Sequence, residues 1–128
     1  MNKKIIASGA LLGALAIVLG AFGAHALKKI LTIEELSTFE TGVKYQMYHA
    51  LFLLFIGTST LLDEKTKKTI FYLVSVGVLF FSGSIYFLAT NRFTSFDFKT
   101  IGFITPIGGL LLILAWMVLF FNILKKKA

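Results

Sequence analysis

The chain has 128 residues and no cysteine. It can form neither a disulfide nor a thiolate metal site, and it carries no lipidated lipoprotein cysteine. Acids are scarce too, six against thirteen Lys and Arg, and none falls inside the long apolar runs. Only histidine would titrate near neutral pH along a proton pathway through those runs, which counts against a proton-coupled transporter. No G-x-S-x-G frame is present, and Ser82-Gly83-Ser84 has no carboxylate nearby in sequence. Close helix packing explains that cluster better than nucleophilic hydrolysis does. No internal repeat is evident, which weakens an inverted-repeat transporter.

What remains is strongly apolar: 57% of the residues are hydrophobic and the mean hydropathy is +0.86. That composition belongs to a lipid solvent rather than to water. Four runs lack charge or nearly so: Ile5 to Leu27, Val43 to Leu62 with Lys44 intruding, Thr69 to Asn91, and Ile101 to Leu124. A helix rises 1.5 Å per residue, so about 20 residues cross a hydrocarbon core of roughly 30 Å. The runs are too long and too uniformly apolar for barrel strands. The expectation is one domain over residues 1–128, an all-α integral membrane antiparallel four-helix bundle with approximate crossings at 5–27, 43–62, 69–90 and 106–124. The antiparallel order follows from the short connections.

Between the first two crossings, Thr32 and Glu35 have the spacing of a capping box, and Glu34 and Glu35 crowd a first helical turn. A short amphipathic helix is expected there, bending or continuing near Gly42 into the second crossing, with Glu40 and Lys44 paired four residues apart. Crossing four is expected to start with Thr105 as N-cap and Pro106 at the first helical position.

The formal charge of +7 would suggest nucleic acid in a soluble protein, but its distribution points to topology instead. One side carries Lys3, Lys4, Lys65, Lys67, Lys68, Lys125, Lys126 and Lys127; the other carries Lys28, Lys29, Lys44, Arg92 and Lys99. Eight bases against five place both termini of a multi-pass membrane protein in the cytoplasm. The basic excess meets anionic headgroups, and no nucleic-acid partner is expected.

The opening MNKK, an apolar run and the triplet Ala24-His25-Ala26 also resemble a cleaved signal peptide. The run is too long for that role, and Gly9, Gly13, Ala16, Gly20 and Gly23 recur at spacings of four, three, four and three. That spacing is one continuous seam along a helix, through which a neighbour approaches closely. A second stripe, Ala7, Ala10, Ala14 and Ala21, suggests that this helix wedges between two neighbours, with Leu11, Leu15, Val18 and Phe22 facing lipid.

Polar groups inside crossings are costly and are therefore site candidates. His25, Gln46, His49, Ser75, Ser82, Tyr86 and Asn122 stand out. Gly42, Gln46, His49 and Leu53 share one helical face, and Ser75, Ser82 and Tyr86 share another, so a bundle can unite Gln46, His49 and Tyr86. Mutual hydrogen bonding that fixes helix pairing is the plainest role for them. Ligation of a metal or haem by His25 and His49 is the sharper alternative, but no third ligand is specified and the two histidines project apart, so no cofactor and no metal are expected. Trp116 and Tyr72 have the positions of interfacial anchors.

The stretches GALAIVLGAFGAHALK, FETGVKYQMYHAL, FSGSIYFLAT and TPIGGLLLILAW cover much of the chain. In these stretches the sequence resembles the small bacterial membrane proteins of domain of unknown function 423, related to eukaryotic transmembrane protein 256. The linker NRFTSFDFKTIGF departs from the family pattern by being longer and more polar. The resemblance implies a four-helix inner-membrane protein that retains its first segment, and it brings no substrate, reaction or cofactor. The functional expectation is a non-enzymatic accessory or structural component with membrane lipids and a second copy or another membrane protein as partners; an oligomeric small-solute or ion transporter or channel is the alternative.

The charge count makes a direct prediction. A reporter fused after Lys127 stays in the cytoplasm, and its recovery on the outer side would overturn the topology.

Overall fold

The structure, a computed structural model, describes residues 1–126; Lys127, counted above on the basic side, lies outside them with Ala128. Helix α1 covers Asn2–His25 and leads through a 3-10 turn, Leu27–Lys29, to α2, Ile33–Thr58. Helix α3, Glu64–Val78, passes through a π-helical turn, Leu79–Gly83, into the short α4, Ser84–Ala89. Two 3-10 turns, Asn91–Phe93 and Phe98–Ile101, precede α5, Ile104–Lys125. The described residues contain no β-strand.

Three helical stretches are long and apolar enough to cross a membrane: Asn2–Lys29, Glu64–Ala89 and Phe98–Lys125. Helix α2 is as long but carries Glu34, Glu35, Glu40 and Lys44 in its first half, and its charge-free part runs only from Tyr45 to Thr58.

The local chemistry explains where these helices begin. Thr32 Oγ1 accepts from the Glu35 N–H at 3.1 Å, and Glu35 Oε1 accepts from the Thr32 N–H at 2.9 Å, so the capping box forms as the spacing indicates. Asp63 caps α3 by accepting from the Thr66 N–H at 2.8 Å. Arg92 Nε donates to both Glu35 oxygens at 3.0 and 2.9 Å, and its Nη2 donates to the Ile30 carbonyl. This guanidinium, helped by the Thr32 N–H, holds the Glu35 carboxyl below its ordinary range and ties the turn after α4 to the start of α2.

Three local expectations are corrected. No separate amphipathic helix lies between the first two apolar segments: α2 is uninterrupted from Ile33 to Thr58, because its capping box starts a helix that nothing at Gly42 stops. Helix α5 begins one residue before Thr105, with Phe103 at the N-cap and no side-chain cap, because the Thr105 hydroxyl is engaged with Ser84 Oγ at 2.5 Å. Glu40 and Lys44 do not pair; both are exposed, and the single ion pair among the described residues is Arg92–Glu35.

Glycine sets how closely the helices meet. Along α1, Gly9 faces Ala50 and Leu53, Gly13 faces Ala50 and Met47, Gly20 faces Val43, and Gly23 faces Phe39. A Cβ on Gly9 would lie 2.9 Å from the Ala50 carbonyl oxygen, and one on Gly57 of α2 would lie 2.6 Å from Ile6 Cγ1. The seam of Gly9, Gly13, Ala16, Gly20 and Gly23 is therefore the α1–α2 contact. The wedge between two neighbours does not form: Ala7, Ala10, Ala14 and Ala21 are exposed, as are Leu11, Leu15, Val18 and Phe22.

A second close approach joins α3 to α5. A Cβ on Gly77 would lie 2.7 Å from Leu112 Cδ2, and one on Gly108 would lie 2.4 Å from the Phe81 backbone nitrogen. Around these contacts the larger core gathers Ile5, Leu53, Ile56, Ile70, Val74 and Leu112, while a smaller one of Leu27, Leu31, Phe39 and Ala89 closes the end held by Arg92.

The obstruction at Gly108 is backbone, which cannot rotate away, whereas a Cβ on its neighbour Gly109 would meet only the Phe81 ring at 3.5 Å. Gly108→Ala should destabilise the fold by about 1–3 kcal/mol or more, while Gly109→Ala should be nearly neutral, as read by unfolding in detergent. Equal effects of the two substitutions would contradict this packing.

Candidate functional site

The glycine at position 42 creates the site. A Cβ there would lie 2.7 Å from Tyr86 Cε1 and 3.0 Å from Ile85 Cγ2, so its absence lets the Tyr86 ring lie against α2. One turn further along α2, the Tyr86 hydroxyl donates to Gln46 Oε1 at 2.6 Å. Gln46 Nε2 in turn donates to the Leu12 carbonyl of α1 at 2.9 Å. Ser82 Oγ donates to the Gly42 carbonyl at 2.7 Å from the π-helical turn, where Ser82 is 1% exposed. A carbonyl only accepts, so Leu12 fixes the Gln46 amide orientation, and this in turn makes Tyr86 the donor.

His49 lies on the same buried face but belongs to a different set of bonds. Trp116 Nε1 donates to His49 Nε2 at 3.1 Å, and His49 Nδ1 lies 2.7 Å from the Tyr45 carbonyl oxygen. An indole N–H only donates and a carbonyl only accepts, so the imidazole is neutral and carries its hydrogen on Nδ1. Phe52 stacks on Trp116 with ring centroids 4.0 Å apart and an interplanar angle of 13°, which holds the indole in place.

The grouping of Gln46, His49 and Tyr86 is thus corrected. Gln46 and Tyr86 meet, with Ser82 beside them, while His49 turns to α5. A step of three residues along α2 rotates the side chain by about 300°, enough to aim His49 at a different neighbour. Trp116 has a further role that its place in the chain does not reveal: its indole N–H donates to His49 of α2 while the ring stays about half exposed.

His25, the last residue of α1, is exposed and apart from the other candidates. Both ring nitrogens of His49 are engaged, and among the described residues no three His, Asp or Glu side chains gather as a metal site. Every buried side-chain nitrogen and oxygen among the described residues has a hydrogen-bond partner. Where α3 begins and α5 ends, Thr66 Oγ1 donates to Asn122 Oδ1 at 3.0 Å, and Asn122 Nδ2 donates to the Val118 carbonyl at 2.9 Å.

Two grooves flank the α2–α3 contact. One, of about 310 Å³, runs between α2 and α5 and includes Tyr45, His49, Phe81 and Trp116 in its lining. The other, of about 400 Å³, runs between α1 and the α3–α4 rod and includes Leu12, Leu15, Gln46, Ser75 and Tyr86. They share no lining residue, so the candidate polar groups are divided between them.

Long apolar helices, glycine-mediated approach and polar groups satisfied inside the chain define a helical membrane protein. A family model described as "Protein of unknown function (DUF423)" matches residues 19–109, and the chain belongs to that family. It is 41% identical over 123 residues to the UPF0382 membrane protein of Staphylococcus saprophyticus, covering 96% of this chain and 98% of that protein. A UPF0382 membrane protein of Haemophilus influenzae is 38% identical over 128 residues, covering 100% and 99%. The UPF0382 inner membrane protein YgdD of Escherichia coli is 29% identical over 129 residues, covering 98% and 93%. No solved structure matches the chain.

If Tyr86 and Gln46 act through their shared bond, their substitutions must be non-additive. A double-mutant cycle with Tyr86→Phe and Gln46→Leu should show a coupling of about 0.6–1.7 kcal/mol in detergent unfolding. A coupling of zero would mean that the bond is not formed.

Proposed function

We propose that this protein is a non-enzymatic accessory or structural component of the inner membrane, a single antiparallel four-crossing bundle with both termini cytoplasmic, which engages membrane lipid and a partner membrane protein or a second copy of itself. Helix α2 serves as the remaining crossing: its charge-free part supplies about 21 Å, and the exposed Lys44 extends its reach to the headgroups. In this arrangement the exposed Leu11, Leu15, Val18 and Phe22 of α1 face acyl chains.

The observation that carries the reading is the closed hydrogen-bond chain Tyr86–Gln46–Leu12, which joins α4, α2 and α1 and leaves no buried side-chain polar atom unsatisfied among the described residues. Groups committed to one another hold helices in register, whereas a conduction path needs polar groups presented to water. Transport by an oligomer is the second reading, and the groove whose lining includes His49 favours it, because a titratable residue type lies beside an open cavity.

The two readings separate in proteoliposomes. The accessory role expects ion and small-solute flux no greater than that of empty liposomes. Flux above that level, abolished by His49→Ala in a protein that still folds, would replace it with transport.

A further inference from the structure

The packing of the fold does not explain the glycine at position 109. A Cβ there would meet only the Phe81 ring, at 3.5 Å, an ordinary contact, whereas its neighbour Gly108 lies against backbone. Glycine weakens a helix interior relative to alanine, so its presence calls for another reason. Gly109 lines the groove of about 310 Å³ between α2 and α5, where the missing side chain leaves bare backbone for a ligand to approach.

The other walls of that groove are largely rings. Tyr45, His49, Phe81 and Trp116 line it, and they are fixed within the chain: Tyr45 meets Phe81 edge-on at 5.1 Å, and Trp116 is held by its bond to His49 and its stack on Phe52. The bond and the stack do not use up the indole, since Trp116 is 46% exposed. Tyr45 bonds to His49 through its backbone carbonyl, and its hydroxyl has no hydrogen-bond partner among the described residues. Of the three polar side chains in the lining, Tyr45 alone is left to serve a ligand. The groove between α1 and the α3–α4 rod differs: α1 contributes Leu12, Leu15, Val18 and Leu19, and its one aromatic, Tyr86, is committed to Gln46. Acyl chains suit such an aliphatic wall, whereas rings gain from edge-on and offset contact with other rings.

Size narrows the occupant further. A helix about 10 Å across fills roughly 400 Å³ in one turn, more than the groove holds, so the helix of a second copy does not enter it. At roughly 30 Å³ per water-sized group the groove takes about ten non-hydrogen atoms, enough for one substituted six-membered ring. No charged side chain lines it, so a neutral ligand fits. A carbonyl accepts near its own plane, so a ring carbonyl can meet a phenol while the ring stays flat between the walls. We propose that the groove between α2 and α5 binds the ring of a lipophilic para-benzoquinone, seated against Gly109 between the aromatic walls, with the Tyr45 hydroxyl donating to a ring carbonyl and the tail in the surrounding lipid. The exposed Ile113 stands in the lining, so the groove opens toward the acyl chains. The inference rests on the membrane-embedded bundle proposed above, and not on its accessory role.

Trp116 is the single tryptophan of the chain, so its fluorescence reads the groove directly. The test titrates the full chain, in a neutral maltoside detergent, with a dimethyl para-benzoquinone carrying a decyl tail. Quenching should saturate. Gly109→Leu should weaken binding about tenfold or more by filling the slot, and Tyr45→Phe should weaken it about two- to tenfold, the range of one net hydrogen bond. Decylcyclohexane, with the same tail but neither a flat ring nor a carbonyl, should not compete. Quenching that rises without saturation, or that saturates alike in Gly109→Leu, overturns the site. Equal competition by decylcyclohexane makes the groove a hydrocarbon slot and overturns the ring, and binding unchanged in Tyr45→Phe overturns the carbonyl. Unfolding in detergent checks each variant. Where Gly109→Leu does not fold, Gly109→Ala decides, with a weakening of about fourfold expected for one displaced methylene contact and no weakening overturning the site. Flux in proteoliposomes is a separate readout, so failure here leaves the accessory reading standing and its failure leaves this site testable.

Discussion

The distance at which helices meet is the constraint on which this fold depends. Lipid tails are as apolar as leucine, so helices in a bilayer gain little from hiding hydrophobic surface and must gain from contact. At Gly9, Gly57 and Gly108 that contact reaches backbone or the base of a side chain, with no room for a methyl group. The Gln46 amide reaches the Leu12 carbonyl because α1 is drawn against α2 at Gly9 and Gly13 on either side of it. Were the helices separated by ordinary side chains, the amide would end short of its acceptor and be left unsatisfied in a medium without water.

The α1–α2 contact was legible in the sequence because both of its ingredients are periodic. Five small residues at spacings of four and three mark one face, and the capping box at Thr32 marks where the partner begins. The α3–α5 contact was not legible in that way. Gly77 and the adjacent Gly108 and Gly109 form no periodic stripe, and the match depends on the π-helical turn at Leu79–Gly83, which shifts the face that the rod presents beyond it. An extra residue in a helical turn leaves no mark on hydrophobic periodicity, so the pairing of Phe81 with Gly108 emerges only in three dimensions.

Of the candidate site, the residue types were readable and the partners only in part. Gln46, His49, Ser82 and Tyr86 stood out as polar groups within apolar runs, and all four are indeed hydrogen-bonded across helices. A helical face spans enough arc to meet two neighbours, however, and Gln46 and His49 divide between them. The Leu12 carbonyl carries no sequence signal at all, since any residue type would supply it. Lys67 is the reverse case: among the basic residues of one side it looked like a topology marker, but burial against Asn2 sets it apart from Lys65 and Lys68, which are exposed.

The polar groups are also distributed unevenly along the helices. Arg92 and Glu35 neutralise each other at one end, where the turn after α4 is tied to the start of α2. Lys67 has no such partner at the other end, where Lys3, Lys4, Lys125 and Lys126 gather as well. Between the two ends, hydrogen bonds among neutral groups satisfy every buried side-chain polar atom of the described residues, so no charge is spent inside the span. Among the described residues the interior is thus neutral, and the positive charge without an opposite partner collects where α1 and α3 begin.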